Sequence, residues 1–320
     1  HSHRTCATSQ WRGRCINESM TQKTASPPAF KPLRGARILS LALNLPGPAA
    51  MMRLKQMGAT CVKLEPPPAA NAPSGDPMGA YNRTGYEAMH QGIRVVVADL
   101  KTEKGQKALH RELAKADVLL TSFRPSALRK LGLEWRNLRK RYPTLSMVSI
   151  VGAPGERAEE PGHDLTYLAE NGLVTGLELP ATLYADMAGS LMTTEAVLQA
   201  TLVQRLKGKG SWIEVALSSA AAYLALPRTW GLTQPGAAVG GGHAGYRVYP
   251  CQDGRVAVAA LEPHFAKALC GAAGIALTSG AALMAPATHE ALAEFFRDKT
   301  CDTLNQLAQA HDIPLHTLLN

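Results

Sequence analysis

The chain has 320 residues, 46% of them hydrophobic and 18% charged. That describes a globular protein with a large core, in two domains or one elaborated domain, and excludes a disordered chain. No apolar run reaches the roughly 18 residues a bilayer span requires, so no membrane partner is expected. The net charge of +9 and 5% aromatic content come without a nucleic-acid motif, so no nucleic-acid partner is expected either.

In chain order, residues 1–29 are polar, aperiodic and begin His-Ser-His, which reads as a disordered arm or a cloning remnant with Met20 as a candidate start. A domain is expected over 30–235. Ala36–Leu41 predicts a buried strand, and Gly47-Pro48 opens a helix running to about Met57. Thr60–Glu65 is the next strand, followed by a Pro/Gly/Asn-rich loop to about His90. Arg94–Leu100 is β-branched and predicts a strand, with a helix over 103–115 and a strand at Asp117–Thr121. Helices follow at 125–132 and 135–141, then a strand at Leu145–Val151. Strands separated by helices of this length imply right-handed βαβ units, hence a Rossmann-like parallel sheet with helices on both faces. No G-x-G-x-x-G follows the first strand, so no dinucleotide fingerprint is present.

Pro161-Gly162 then delivers His163 and Asp164 to the start of an apolar helical run. A long helix is expected over 186–206, and Trp212–Leu217 is a strand entering an Ala-rich helix. The glycine-dense stretch 236–245 is the candidate boundary of a smaller α+β domain over 236–320. That domain is expected to hold a hairpin (Tyr246–Pro250 and Arg255–Ala260) and helices near 263–271, 288–297 and 300–311. The six cysteines show neither C-x-x-C spacing nor a metal-ligand rhythm, which points to reduced thiols in a cytoplasmic protein and to no metal site.

Several stretches, in this order and spacing, resemble the class III CoA-transferase superfamily, which includes the α-methylacyl-CoA racemases. They are PLRGARILSLALNLPGPAAMMRLKQMGATCVKLEPP, ADLKTEKGQKAL, ADVLLTSFRPSALRKLGL, PGHDLTYLA, LYADMAG, GKGSWIEVAL and GRVAVAALEPHF. Gly162-His163-Asp164 and Leu261-Glu262-Pro263 are similar to the racemase branch. That resemblance implies His163 and Asp186 as two proton-transfer bases, with Glu262 supporting the histidine. In the transferase branch the residue matching Asp164 is instead a nucleophile that forms covalent acyl and CoA-thioester intermediates.

The resemblance further implies a CoA-binding large domain, with Arg94, Val118, Leu119, Leu120, Arg124 and Tyr167 around CoA. A guanidinium suits a phosphate because its forked donors stay charged. Lys63 and Lys130 are further cationic candidates, each also readable as an ordinary exposed lysine. CoA would be part of the substrate, with no prosthetic group, and the assembly an interlocked homodimer.

The residue types suit inversion at a carbon α to a thioester, where a proton leaves one face and another arrives on the opposite face. Two bases, each worth roughly 10²–10⁴-fold, and a backbone N–H at the helix start for the enolate oxygen would meet that need. Plainer readings stand beside these: Asp186 and Glu262 as helix caps, Asp164 as a cap. Departures from the family pattern are Gln91-Gly92-Ile93 before Arg94, Gly152-Ala153-Pro154-Gly155 after the strand, and a chain lacking the usual C-terminal return segment. A racemase, a transferase using Asp164, and an inactive CoA-binding homologue are the three readings.

Overall fold

The computed structural model describes residues 30–319, so the reading of 1–29 lies outside the described residues. The first unit contains β1 (Arg37–Ser40), α1 (Pro46–Gln56), β2 (Thr60–Glu65), α2 (Pro77–Tyr81), α3 (Arg83–His90), β3 (Arg94–Val97), α4 (Glu103–Leu113) and β4 (Val118–Thr121). It continues through α5 (Pro125–Lys130), α6 (Trp135–Arg141), β5 (Ser146–Val151), α7 (Asp164–Glu170), α8 (Tyr184–Lys207), β6 (Trp212–Ala216), α9 (Leu217–Leu224) and α10 (Leu226–Thr229). All six strands are parallel, in the order β3-β2-β1-β4-β5-β6. This is the doubly wound order of Rossmann-like sheets.

The two-residue period of the strands sorts side chains onto two covered faces. Ile38, Val118, Leu120, Val148 and Ile150 pack with Met51 and Leu54 of α1 and Ala196, Val197 and Ala200 of α8. Their neighbours Leu39, Leu64, Leu119 and Met147 pack on the other face with Leu109 and Leu113 of α4, Leu128 of α5 and Leu138 of α6. Helices on both faces leave no room for alternation of polar and apolar residues, so these strands read as continuous apolar runs.

The loop expected from Pro66 to His90 is in part helical. Asp76 accepts the N–H of Met78 at 3.0 Å to cap α2, and Asn82 accepts the N–H of Gly85 at 2.9 Å to cap α3. These two side-chain caps override the low helix propensity of Gly79 and Gly85.

The second unit is an antiparallel sheet, β7 (Tyr246–Cys251), β8 (Gly254–Ala259) and β9 (Leu315–Leu319), with α11 (Pro263–Ala272), α12 (Pro286–Arg297) and α13 (Cys301–His311). Tyr249, Val256 and Val258 pack with Leu269, Leu292, Phe296 and Leu304 from these helices. The hairpin agrees with the sequence reading. β9 was not expected: Leu-His-Thr-Leu-Leu is apolar on no single period, and only pairing with β8 makes it a strand.

Candidate active site

β1 and β4 are neighbours in the sheet, but the chain leaves β1 toward α1 on one face and β4 toward α5 on the other. Such a divergence opens a crevice beyond the carboxyl ends of the strands. A cavity of about 870 Å³ lies there. Leu43 and Asn44 from the β1 exit, Ser122 to Arg124 from the β4 exit, and Val151 and Gly152 from the end of β5 form its floor. His163, Asp164 and Tyr167 from α7 and Asp186 from α8 form the opposite wall.

Local sequence explains why α7 starts where it does. The Tyr167 ring lies against two glycines: a Cβ at Gly152 would stand 2.3 Å from its Oη, and one at Gly162 would stand 2.6 Å from Cε1. Only glycine allows this approach. His163 follows in extended conformation as the N-cap of α7. Its N–H donates to Thr166 Oγ1 at 3.1 Å, and that hydroxyl donates back to the His163 carbonyl at 2.8 Å. The backbone of His163 is therefore pinned, while among the described residues its exposed imidazole takes no part in this capping.

Asp164 and Asp186 differ sharply despite being neighbours. Asp164 is buried, and its Oδ1 accepts the N–H of Asp186 at 3.0 Å. It thus caps α8 from α7 and fixes the two helices to each other. Asp186 is half-buried and lines the cavity. Burial pushes its carboxyl up to about 6, the nearby charge of Asp164 adds to that, and His163 opposes it. A carboxyl poised near 6 exchanges protons readily close to neutral pH.

The sequence pattern of CoA-transferase family III matches residues 33–320. The chain belongs to this family. It is 33% identical to the "Probable fatty acyl-CoA transferase Rv3272" of Mycobacterium tuberculosis, over 58% of this chain and 50% of that protein. It is 31% identical to the cinnamoyl-CoA:phenyllactate CoA-transferase of Clostridium sporogenes, over 59% of this chain and 50% of the relative. It is also 31% identical to the alpha-methylacyl-CoA racemase of Mus musculus, over 73% of this chain and 62% of the relative. In these alignments the chain thus spans between half and two thirds of the length of each curated relative. A crystal structure of the Mycobacterium tuberculosis protein Rv3272 superposes with a TM-score of 0.77 at 25% identity, covering 91% of this chain and 86% of that one.

Within this family member the expected CoA residues part company. Arg124 and Tyr167 line the cavity. Val118, Leu119 and Leu120 do not: each side chain is fully buried, because β4 is a central strand covered on both faces. Arg94 stands at the amino end of β3, away from the carboxyl edge, and pairs with Glu112 at 2.6 Å. Glu262 is exposed at the N-cap of α11 and is not part of the cavity wall in this chain.

Lys63 is the largest departure from the sequence reading. It is 1% exposed. Its Nζ meets Glu65 at 3.1 Å and His90 Nε2 at 2.9 Å, and is also bonded to Asp76. Tyr86 donates its hydroxyl to Glu65 at 2.8 Å and stacks on His90 with ring centroids 4.1 Å apart. Burial and the adjacent ammonium hold the His90 imidazole below its ordinary value, which keeps it neutral. Asp76 also accepts the N–H of Asn44 at 3.0 Å, so this cluster holds the β1 exit in place beside the cavity. Asn44, at positive φ, and Tyr81, whose hydroxyl reaches the Asn44 amide oxygen at 3.3 Å, complete that wall. Neither was singled out by sequence; the Asp76-Pro77 capping signal was the available clue.

Proposed function

We propose that the protein is an acyl-CoA racemase or epimerase acting by α-proton abstraction and return on a 2-methyl-branched or similar acyl-CoA. The observation that carries this reading is that His163, Asp164 and Asp186 line one cavity, and that of these Asp164, the alternative nucleophile, is buried with its Oδ1 engaged by the N–H of Asp186.

In this reading the thioester lies between the imidazole and the Asp186 carboxyl. One takes the α-proton, the thioester oxygen carries the enolate charge, and the other returns a proton to the opposite face. The N–H of Asp164, the first residue of α7, is the donor we assign to that oxygen. Arg124, exposed at the cavity mouth, would meet a phosphate of the CoA arm. Met78 and Met89 offer the acyl chain an adaptable apolar wall. Glu262 does not line the cavity of its own chain, and the homodimer that the family resemblance implies is the assembly we propose to bring it there from a second copy; a monomer mass by light scattering would remove Glu262 from the scheme.

The test is proton NMR of 2-methylacyl-CoA thioesters with the protein in deuterated water. Loss of the α-proton signal, abolished in His163→Ala, is expected. Absence of exchange across the panel would reject the racemase reading. A second reading, CoA transfer through Asp164, is favoured by relatives that are named CoA-transferases. It requires an acyl or CoA adduct on Asp164, trapped with hydroxylamine and absent in Asp164→Ala, and that adduct would displace the first reading.

A further inference from the structure

Two groups of potential metal ligands stand close together among the described residues, and they differ in what sits between them. Glu65, Asp76 and His90 converge on the Lys63 ammonium, which already fills the place of a cation. Cys251, Asp253 and Cys301 hold their ligand atoms all within 4.8 Å of one another, with no lysine or arginine among the described residues paired to Asp253.

Three separate parts of the small unit build this second group. Cys251 ends β7, Asp253 sits in the two-residue turn to β8, and Cys301 is the first residue of α13. The two sulfurs lie 3.7 Å apart, and Cys251 Sγ is 4.0 Å from Asp253 Oδ1. Zn–S bonds of about 2.3 Å in a tetrahedral site place two thiolates about 3.8 Å apart, and a thiolate and a carboxylate oxygen about 3.5 Å apart. The sulfur pair fits this spacing as it stands, and the carboxylate needs to move by a few tenths of an ångström. The Cys301 N–H donates to Asp253 Oδ1 at 2.7 Å and orients the carboxylate, as outer-shell partners of metal ligands do. Gly254 keeps the turn close: a Cβ there would stand 3.2 Å from Cys301 Sγ and 2.2 Å from the Leu318 carbonyl.

We propose that Cys251, Asp253 and Cys301 form a binding site for a thiophilic divalent cation such as Zn²⁺, with a fourth position open to water. Binding forms two metal–sulfur bonds and one metal–oxygen bond, and the two thiol protons leave to solvent. Because both thiols must give up their protons to bind, affinity falls as pH falls. A disulfide would use the same sulfurs, but it requires an oxidant, a closing movement of more than about 1.5 Å, and no carboxylate.

The experiment is titration of the reduced, metal-stripped full chain with Co²⁺ and with Zn²⁺. One Co²⁺ per chain is expected, with thiolate-to-cobalt charge-transfer bands and tetrahedral d–d bands. Zn²⁺ should bleach those bands and shield two of the six thiols from a thiol reagent. Cys301→Ser should abolish the charge-transfer bands and Asp253→Asn weaken binding at least tenfold, with folding checked by circular dichroism. Absence of the bands in the parent chain overturns the proposal. So does binding unchanged in both variants, which would place the metal elsewhere, or a Cys251–Cys301 disulfide that yields no metal binding once reduced.

Discussion

The Lys63 cluster braces the cavity wall from behind, through Asp76 and Asn44, and the His163–Asp186 pair lies in the wall itself; their charges are balanced in opposite ways. Around Lys63, two buried carboxylates face one buried ammonium, the histidine is neutral, and each polar group has a partner. Around Asp186, a half-buried carboxyl faces a second carboxylate, and among the described residues the opposing group is an imidazole at the cavity edge. The first arrangement is closed and holds the loop at Asn44; the second leaves a proton loosely held where a ligand can reach it. Buried charge that is fully paired serves shape, whereas charge left strained beside a cavity serves chemistry.

Catalysis gives the widest separation between the two. Replacing a general acid or base lowers kcat by roughly 10²–10⁴-fold, so His163→Ala and Asp186→Asn should each do so in the exchange assay, and neither should lower the urea midpoint. Lys63→Met should do the reverse. Removing one partner of a buried ion pair destabilises by about 3–5 kcal/mol, and here two carboxylates are left behind. A Lys63→Met protein as stable as the parent but inactive would place the cluster in the reaction and dissolve the contrast.

The fold was more legible than either cluster. Thr60–Glu65 and Leu145–Val151 read as strands because apolar and β-branched residues are bounded by turn formers, and that signal is local. The helices α2 and α3 escaped because glycines mask the caps supplied by Asp76 and Asn82. Lys63 misled because a charged residue within a strand looks exposed, and its partners come from 13 and 27 residues further on. Val118 to Leu120 came from family resemblance, and so did Arg94; neither resemblance nor composition tells which residues of a strand line the cavity. His163, Asp186, Arg124 and Tyr167 do line one cavity; the turn that places His163 and Tyr167 is written in neighbouring residues, whereas Asp186 is held by Asp164, 22 residues before it.

Packing around α7 offers a finer test of how rigid the open pair is. Alanine at Gly152 meets the Tyr167 hydroxyl, whereas alanine at Gly162 meets ring carbons as well. Overpacking of this kind destabilises by about 1–3 kcal/mol. Tyr167→Phe should therefore restore much of the stability of Gly152→Ala and little of that of Gly162→Ala. Equal rescue of both would mean that α7 shifts freely, and that His163 is not held as the contrast requires. Asp164→Ala should remove a cap worth about 0.5–2 kcal/mol, read as a lowered urea midpoint.

The last effect concerns pH and bears on the comparison most directly. Folding raises the Asp186 carboxyl from 3.8 to about 6, so the native state binds its proton more tightly than the unfolded chain does. The stabilisation this provides is complete below about 3.8 and is lost as pH rises through about 6. Asp164, His163 and the hydroxyls of Tyr81 and Tyr167 are the ionisable groups coupled to it, and of these the histidine limits the effect because its cationic form favours the carboxylate. Asp186→Asn stays neutral throughout. Relative to the parent it should gain stability from pH 4 to pH 7, in urea titrations at closely spaced pH values, although it loses activity. A residue that lowers stability in its working charge state is what a site, as opposed to a scaffold, would retain. A stability difference that is flat from pH 4 to pH 7 would mean that folding does not strain this carboxyl, and Asp186 would then belong with the closed cluster.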